Sequence, residues 1–381
     1  MSTLNTPRVY RDLGVKPVIN AQSWVTKLGG SLMRPEVLQA MDEAATAFVD
    51  MSELNRAAGK VVARACEAEG GLVTAGCAAA EVLMAAACMT GQDEARVEQL
   101  PDTAGMKNEI VIFKGQRNRY DGAFTQAGAN LVEFGMPNSA RPYHLEAAIT
   151  DRTCAVAYVI GPFISPGIGL AETIRVAHSK GVPVIVDAAA EVPPRSNLSR
   201  FIRMGADMVA FSGGKGIGGP QSAGLLAGKG DLVEAAFMNS LNLDSPRAGI
   251  GRPMKVSKEN IVGMVTALQL FLEGDEEAEY AAWTSKSEVV KERLEDIPGL
   301  RVVIESDQPN RQGPQPVIYF TEAWKGPSPD EVRKRLKDGD PSILVGGGGY
   351  RNEINVVMVN VQDGEEEIIA RRLGEILRHK G

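Results

Sequence analysis

Lys215 stands alone in the stretch "DMVAFSGGKGIGGPQ", residues 207–221, with Ser212 three positions before it and glycines on both sides. Most lysines are solvated surface residues. This one follows an apolar run that ends at Phe211. An amine set among glycines, with no neighbouring side chain, is free to condense with a carbonyl. Asp187 lies twenty-eight residues earlier, at the end of "VPVIVD" and before three alanines. A carboxylate at the dry end of a buried strand needs a positive partner. The flat surface of the small residues after it would suit a planar ring. A third feature is "VTAGCAAAEV", where a strand ends at Thr74, the chain turns through Gly76, and a helix opens at Cys77 or Ala78. The free N–H groups of such a helix end bind anions, phosphate in particular, and small residues let the backbone approach closely. Each feature has a more ordinary role available to it: a surface lysine, a turn-forming aspartate, a simple strand-to-helix turn.

The elements that must position these residues alternate. From about Gly70 to Gly228 the sequence reads as strand and helix in turn: "GGLVT", "CAAAEVLMAAACM", "EIVIF", "YDGAFTQAG", "NLVEF", "HLEAAI", "CAVAYVI", "LAETIRVAHSKG", "VPVIVD", "LSRFIRMG", "DMVAF". Strands alternating with helices predict a doubly wound, mainly parallel sheet. The strand runs are almost wholly apolar, as strands covered on both faces should be. The three features all fall at carboxyl ends of strands, where open α/β sheets bind ligands. From Lys258 to Glu295 the pattern becomes one or two long amphipathic helices. Then come "RVVIES", "PVIYFT", the helix "SPDEVRKRLKDG", the strands "SILVGG" and "INVVMVNV", and the helix "EEEIIARRLGEIL". The reading is an α/β protein with a smaller C-terminal α+β domain. An N-terminal segment, 1–45, packs on the small domain and on a partner subunit. The large domain spans 46–274 and the small domain 275–381.

Composition narrows the function classes. The chain has 381 residues, 44% of them hydrophobic and 23% charged, as in ordinary soluble domains. Its net charge of −7 opposes a nucleic-acid partner. The start, "MSTLNTPRVYRDLG", carries no apolar targeting segment, and the apolar stretch Ala78–Met89 is too short for a bilayer and holds Glu81. A cytoplasmic enzyme without a membrane partner is expected. The four cysteines, Cys66, Cys77, Cys88 and Cys154, form no C-x-x-C pair, so no metal site is expected and they read as small buried residues. The three histidines, His144, His178 and His379, are too few for a His-rich site, and proton transfer should rest on other groups. Gly216 follows Lys215 where a P-loop needs Ser or Thr. "GKGIGG" fits G-x-G-x-x-G, but the next element reads as the strand "SAGLLAG" with no helix between, so it is no dinucleotide fingerprint.

A phosphate cup, an aspartate and a lysine, each at a strand end, together fit pyridoxal 5′-phosphate. The helix end takes the phosphate, Asp187 pairs with the protonated pyridine nitrogen, and Lys215 forms the Schiff base. That set also argues against a non-catalytic scaffold. At this point the sequence resembles fold-type I pyridoxal-phosphate enzymes, in the branch of L-seryl-tRNA(Sec) selenium transferase and D-glucosaminate-6-phosphate ammonia-lyase. The resemblance covers nearly the whole chain, through "VINAQSWVTKLGGSLM", "FVDMSELNRAAGK", "LVTAGCAAA", "GVPVIVDAAAEVPP", "MVAFSGGKGIGGPQSAGLLAG" and "RPMKVSKENIVGM". It implies Lys215 as the Schiff-base lysine, Asp187 as the pyridinium partner and Ala189 beneath the ring. It places Ser212, Gly76 and Cys77 around the phosphate, and it implies a site at the interface of a homodimer or larger assembly. Relatives usually carry a histidine where Gln116 stands, stacked on the ring, and "A-G-T-x-T" where this chain has "AQSWVT", so that Trp24 faces the substrate.

The resemblance further implies a lyase: loss of a β-substituent from a β-hydroxy amino acid or amino sugar acid, giving a keto acid and ammonia. A racemase, an aldolase and an aminotransferase share its early steps, and selenium or sulfur transfer on charged tRNA is a further alternative opposed by the net charge. Arg252, in the glycine-flanked basic segment "GIGRPMKVSK", is expected to reach the cofactor phosphate or the substrate from the partner subunit. A substrate carboxylate needs a fixed cation, most often arginine. The candidates are Arg351 after the "GGGG" loop and Arg119 or Arg117 beside Gln116, with Arg351 favoured.

Overall fold

The computed structural model describes residues 6–161, 164–240, 247–306, 313–348 and 351–378. It divides into two compact units, Ser31–Gly274 and a smaller one made of Met1–Gly30 with Asp275–Gly381.

The larger unit is built on a seven-stranded sheet of order β2-β8-β7-β6-β5-β3-β4. Its strands are β2 (Gly70–Thr74), β3 (Glu109–Phe113), β4 (Asn130–Phe134), β5 (Thr153–Val159), β6 (Val184–Asp187), β7 (Met208–Ser212) and β8 (Gly224–Gly228). β2, β7, β6, β5, β3 and β4 run in one direction, and β8, between β2 and β7, runs against them. The central strands are buried along their whole length, as their apolar, β-branched runs require of a sheet covered on both faces. Two hydrophobic clusters result, one on each face. Val111, Val156, Val186 and Val209 point into one, and Ile110, Ala155, Ile185 and Met208 into the other. The helix Cys77–Thr90 fills the second cluster and is apolar nearly all round, so it is a buried core helix.

The smaller unit holds a five-stranded sheet of order β1-β11-β12-β10-β9. These strands are β1 (Val18–Ala21), β9 (Leu300–Glu305), β10 (Gln315–Phe320), β11 (Ser342–Gly348) and β12 (Arg351–Asn355). β1 pairs in parallel with β11, which ties the N-terminus into this unit. The helix Pro35–Ala45 belongs to the larger unit, although the sequence reading placed 1–45 together. Gly274 separates the helices Lys258–Glu273 and Glu276–Leu294, and the units divide there.

One element differs from the sequence reading. The apolar run "INVVMVNV" is not a continuous strand: β12 ends at Asn355, and Met358–Asn360 form a 3-10 turn. The Val356 N–H donates to Pro316 O and the Val357 N–H to Ala21 O, after which the chain turns and buries Met358. Apolarity required burial of these residues, and a turn met that requirement as well as a strand. No helix among the described residues is long and apolar enough to cross a membrane.

Candidate active site

Four strand ends meet at one edge of the large sheet. Thr74 of β2, Val159 of β5, Asp187 of β6 and Ser212 of β7 all lie at the carboxyl ends of parallel strands, and Gln116 follows β3 in a short 3-10 turn.

The first wall is the start of the helix Cys77–Thr90. Its N-cap, Gly76, has φ +104°, a conformation that side chains rarely tolerate. The Thr74 hydroxyl donates to Gly76 O at 2.9 Å and shapes this turn. Intrahelical bonding begins with the Ala80 N–H on Gly76 O. The N–H groups of Cys77, Ala78 and Ala79 are therefore unused within the helix and free for an anion. Gly224 packs against Gly76 so closely that a Cβ on it would lie 2.7 Å from the Gly76 carbonyl carbon.

The second wall is Asp187, 6% exposed. Its Oδ1 accepts from the Ala189 N–H at 3.0 Å and from the Cys77 thiol at 3.4 Å. Burial pushes this carboxyl above the usual aspartate range. The Ala189 N–H, the Cys77 thiol and the charge of Lys215 pull it back. A buried carboxylate so arranged favours a cation beside it.

The third wall is the loop after β7. The Gly213 N–H donates to Ala223 O at 2.8 Å, and the Gly219 N–H to Gly213 O at 2.8 Å. Ser31 grips the loop from outside: its N–H donates to Gly214 O at 3.1 Å, and its hydroxyl to Lys215 O at 2.9 Å. A Cβ on Gly216 would sit 2.2 Å from Val192 O, so glycine is required there for contact with the segment after β6. Lys215 is half-buried, and its charge acts on both Asp187 and Cys77. Ser212 is half-buried and its N–H donates to Ala189 O at 3.3 Å. β8 follows the loop directly, with no helix between, as the sequence required.

Gln116 is fully buried, and its Oε1 accepts from the Val159 N–H at 3.1 Å. Val159 is the register partner of Asp187, so this side chain is held one strand away from the carboxylate. Its Nε2 is buried with no hydrogen-bond partner, an idle donor at the sheet edge.

A helix N-terminus ordinarily favours a thiolate. Burial instead drives the Cys77 thiol well above its usual range, and the charges of Asp187 and Glu81 add to that effect. It stays a thiol and donates to Asp187. Cys77→Ala should cost about 1 kcal/mol, or about fivefold in cofactor Kd, and Cys77→Ser should restore the donor. A cofactor titration of the three proteins checks this.

Glu81 was missed as a site residue. It lies one helical turn beyond Cys77, is 2% exposed, and brings a carboxylate oxygen into a group with Cys77 and Asp187 whose atoms all lie within 4.8 Å. Burial first, and then the charge of Asp187, push it up to about 9. The folded chain thus keeps a proton that the unfolded chain releases. The stability from this group is present below about 4.5 and is lost as pH rises through about 9.

The other expected residues lie as follows. Arg252 is exposed in a short 3-10 turn, flanked by Ile250 and Met254, which pack on the same apolar cluster as Cys77. Arg117 is spent on ion pairs with Asp121 and Glu133. Arg119 is exposed and makes no ion pair among the described residues. Trp24 is buried in the smaller unit after Ser23, which has φ +93°. Arg351 opens β12, and its side chain lies outside the described residues. His144 Nδ1 accepts from the Arg141 N–H at 3.1 Å, and His178 pairs with Asp207 at 2.7 Å; His379 lies outside the described residues.

An open anion-binding helix end, a buried carboxyl at a strand end, and a lysine loop pinned by backbone bonds fit pyridoxal 5′-phosphate, and the fold around them is that of fold-type I pyridoxal-phosphate enzymes. The model of the L-seryl-tRNA selenium transferase family matches residues 18–285, and the chain belongs to that family. It is 35% identical to a 5′-C-glycyluridine monooxygenase-decarboxylase of a Streptomyces species, over 98% of this chain and 92% of that protein. It is 34% identical to the D-glucosaminate-6-phosphate ammonia lyase of Salmonella typhimurium, over 98% of this chain and 99% of that one. A solved structure of D-glucosaminate-6-phosphate ammonia-lyase superposes with a TM-score of 0.85 at 32% identity, covering 98% of this chain and 99% of that chain. The protein is a pyridoxal-phosphate-dependent enzyme.

Proposed function

We propose that this enzyme is a lyase that removes a β-hydroxyl from an amino acid or amino sugar acid and releases a keto acid and ammonia. The observation that carries this reading is the end-to-end likeness, in sequence and in fold, to an ammonia-lyase. The negative net charge supports a small-molecule substrate over a charged tRNA. We further place the enzyme in the cytoplasm as a homodimer or larger homo-oligomer.

The cofactor, when bound, supplies an electron sink conjugated to the substrate Cα. The residues of this chain do the rest. The N–H groups of Cys77 and Ala78 and the Ser212 hydroxyl bind the phosphate, with Arg252 adding a cation from the partner subunit. Ala189 and Gln116 bound the ring on its faces. Asp187 holds a proton at the ring nitrogen. The Lys215 amine would hold the cofactor and, once free, would take the proton from Cα. The electron pair of that C–H bond forms the Cα–Cβ double bond as hydroxide leaves Cβ. The enamine so released takes up a proton at Cβ and loses one from nitrogen to become an imine, and addition of water to that imine gives the keto acid and ammonia.

Incubation with D- and L-β-hydroxy amino acids and amino sugar acids should yield keto acid and ammonia in equal amounts. Racemised substrate, an aldehyde with glycine, or a requirement for an amino acceptor would instead identify a racemase, an aldolase or an aminotransferase. A second reading is oxygen-dependent decarboxylation, favoured by the likeness to the monooxygenase-decarboxylase. Oxygen uptake with loss of the carboxyl carbon would select it.

Arg351 binds the substrate carboxylate in this reading, with Trp24 beside the substrate and Arg119 as the alternative clamp. Arg351→Ala should raise KM by about tenfold to a hundredfold, the scale of a charge-assisted pair, with the cofactor absorbance unchanged. A KM within twofold of wild type would move the clamp to Arg119.

A further inference from the structure

Asp187 and Glu81 are two carboxyl groups in one dry pocket, 6% and 2% exposed, with oxygens within 4.8 Å of each other. Two buried carboxyls at that separation cannot both ionise, so they share one proton. The surroundings of the two groups differ. Asp187 Oδ1 already accepts from the Ala189 N–H and the Cys77 thiol, and the Lys215 charge favours its anion. Of these, Glu81 shares only the Cys77 thiol. Its Oε2 is buried without a partner, and the charged groups that act on it, Asp187 and Asp121, are negative. The backbone N–H and the cation therefore fall to Asp187 alone, and the charged groups around Glu81 are acids. A lone carboxyl in such a setting keeps its proton.

We infer that Glu81 is a positioning residue of the cofactor site: as a neutral carboxylic acid it holds the shared proton, donates its O–H to Asp187, and so keeps Asp187 as the anion facing the ring nitrogen. Glu81 lies one turn into the helix Cys77–Thr90, so the element whose open end is offered to the phosphate also carries the donor for Asp187. Its value, pushed up to about 9 by burial and by Asp187, agrees with this geometry. The inference rests on Asp187 as the partner of the ring nitrogen.

Infrared spectroscopy of the holoenzyme tests it. At pH 7 the wild type should show the carbonyl stretch of a protonated carboxylic acid, and this band should fade as pH passes about 9. Glu81→Gln should remove the band yet bind the cofactor within about threefold of wild type, because the amide still donates to Asp187. Glu81→Leu, which cannot donate, should raise the cofactor Kd by roughly tenfold, the scale of a hydrogen bond to a charged group. Absence of the band in wild type at pH 7 overturns the inference. So does a band that survives Glu81→Gln and disappears in Asp187→Asn, or a Glu81→Leu protein with unchanged Kd. The wild-type band decides the matter even if a variant fails to fold. Failure of the Asp187 assignment is separately visible, as unchanged cofactor affinity in Asp187→Ala while the Glu81 band persists.

Discussion

Lys215→Ala should leave a folded protein that no longer carries its cofactor covalently and has lost at least about a thousandfold in activity. The side chain is half-buried and no core contact depends on it. The loop is held by main-chain groups instead: Ser31 on Gly214 and Lys215 O, Gly213 on Ala223 O, Gly219 on Gly213 O. Replacing the side chain therefore removes chemistry without removing structure. The loss is large because one amine does two jobs, attachment of the cofactor and proton transfer at Cα. Borohydride treatment of wild type, followed by peptide mapping, should place the reduced cofactor on Lys215. The variant should take up no label. Labelling at any other lysine would refute the assignment.

Asp187→Ala should reduce kcat by about 10² to 10³, equivalent to ~3–4 kcal/mol of transition-state stabilisation, and should weaken cofactor binding as well. The carboxylate lies at a dry sheet edge, where opposite charge at the ring nitrogen acts with little screening. Without it the ring nitrogen loses its proton and the ring becomes a poorer electron sink. The effect on folding should be smaller. The mutation strands the Cys77 thiol and the Ala189 N–H as donors, which costs stability, but it also removes a buried charge that burial disfavours. These two changes oppose each other. Steady-state kinetics beside a cofactor titration check the prediction. A near-normal kcat at full cofactor occupancy would show that the ring nitrogen is served by another group.

The sheet was legible in the sequence because its strands are short apolar runs that stop abruptly at polar or small residues. Thr74, Asp187 and Ser212 mark those stops. In a doubly wound sheet such stops fall on one edge, so sequence position alone brings them near one another. The run "INVVMVNV" shows the limit of that logic: apolarity demands burial, and only the pairing of β12 with β10 and β11 decided where extension ends.

Residue type and strand-end position by themselves determined the α/β class, the helix end open to an anion, and the placing of a lysine and an aspartate at one edge of the sheet. Each follows from local chemistry: periodicity, glycine, and a polar residue closing an apolar run. Only the tertiary structure decided the protonation states around Asp187. Cys77 reads as a small buried residue until its place beside two carboxyls makes its thiol a donor. Glu81 reads as an ordinary helix former until the packing of the helix Cys77–Thr90 under β6 and β7 removes its water and sets it beside Asp187. Charge in a protein depends on what lies within a few ångströms and on whether water is excluded, and neither quantity is a property of the local sequence.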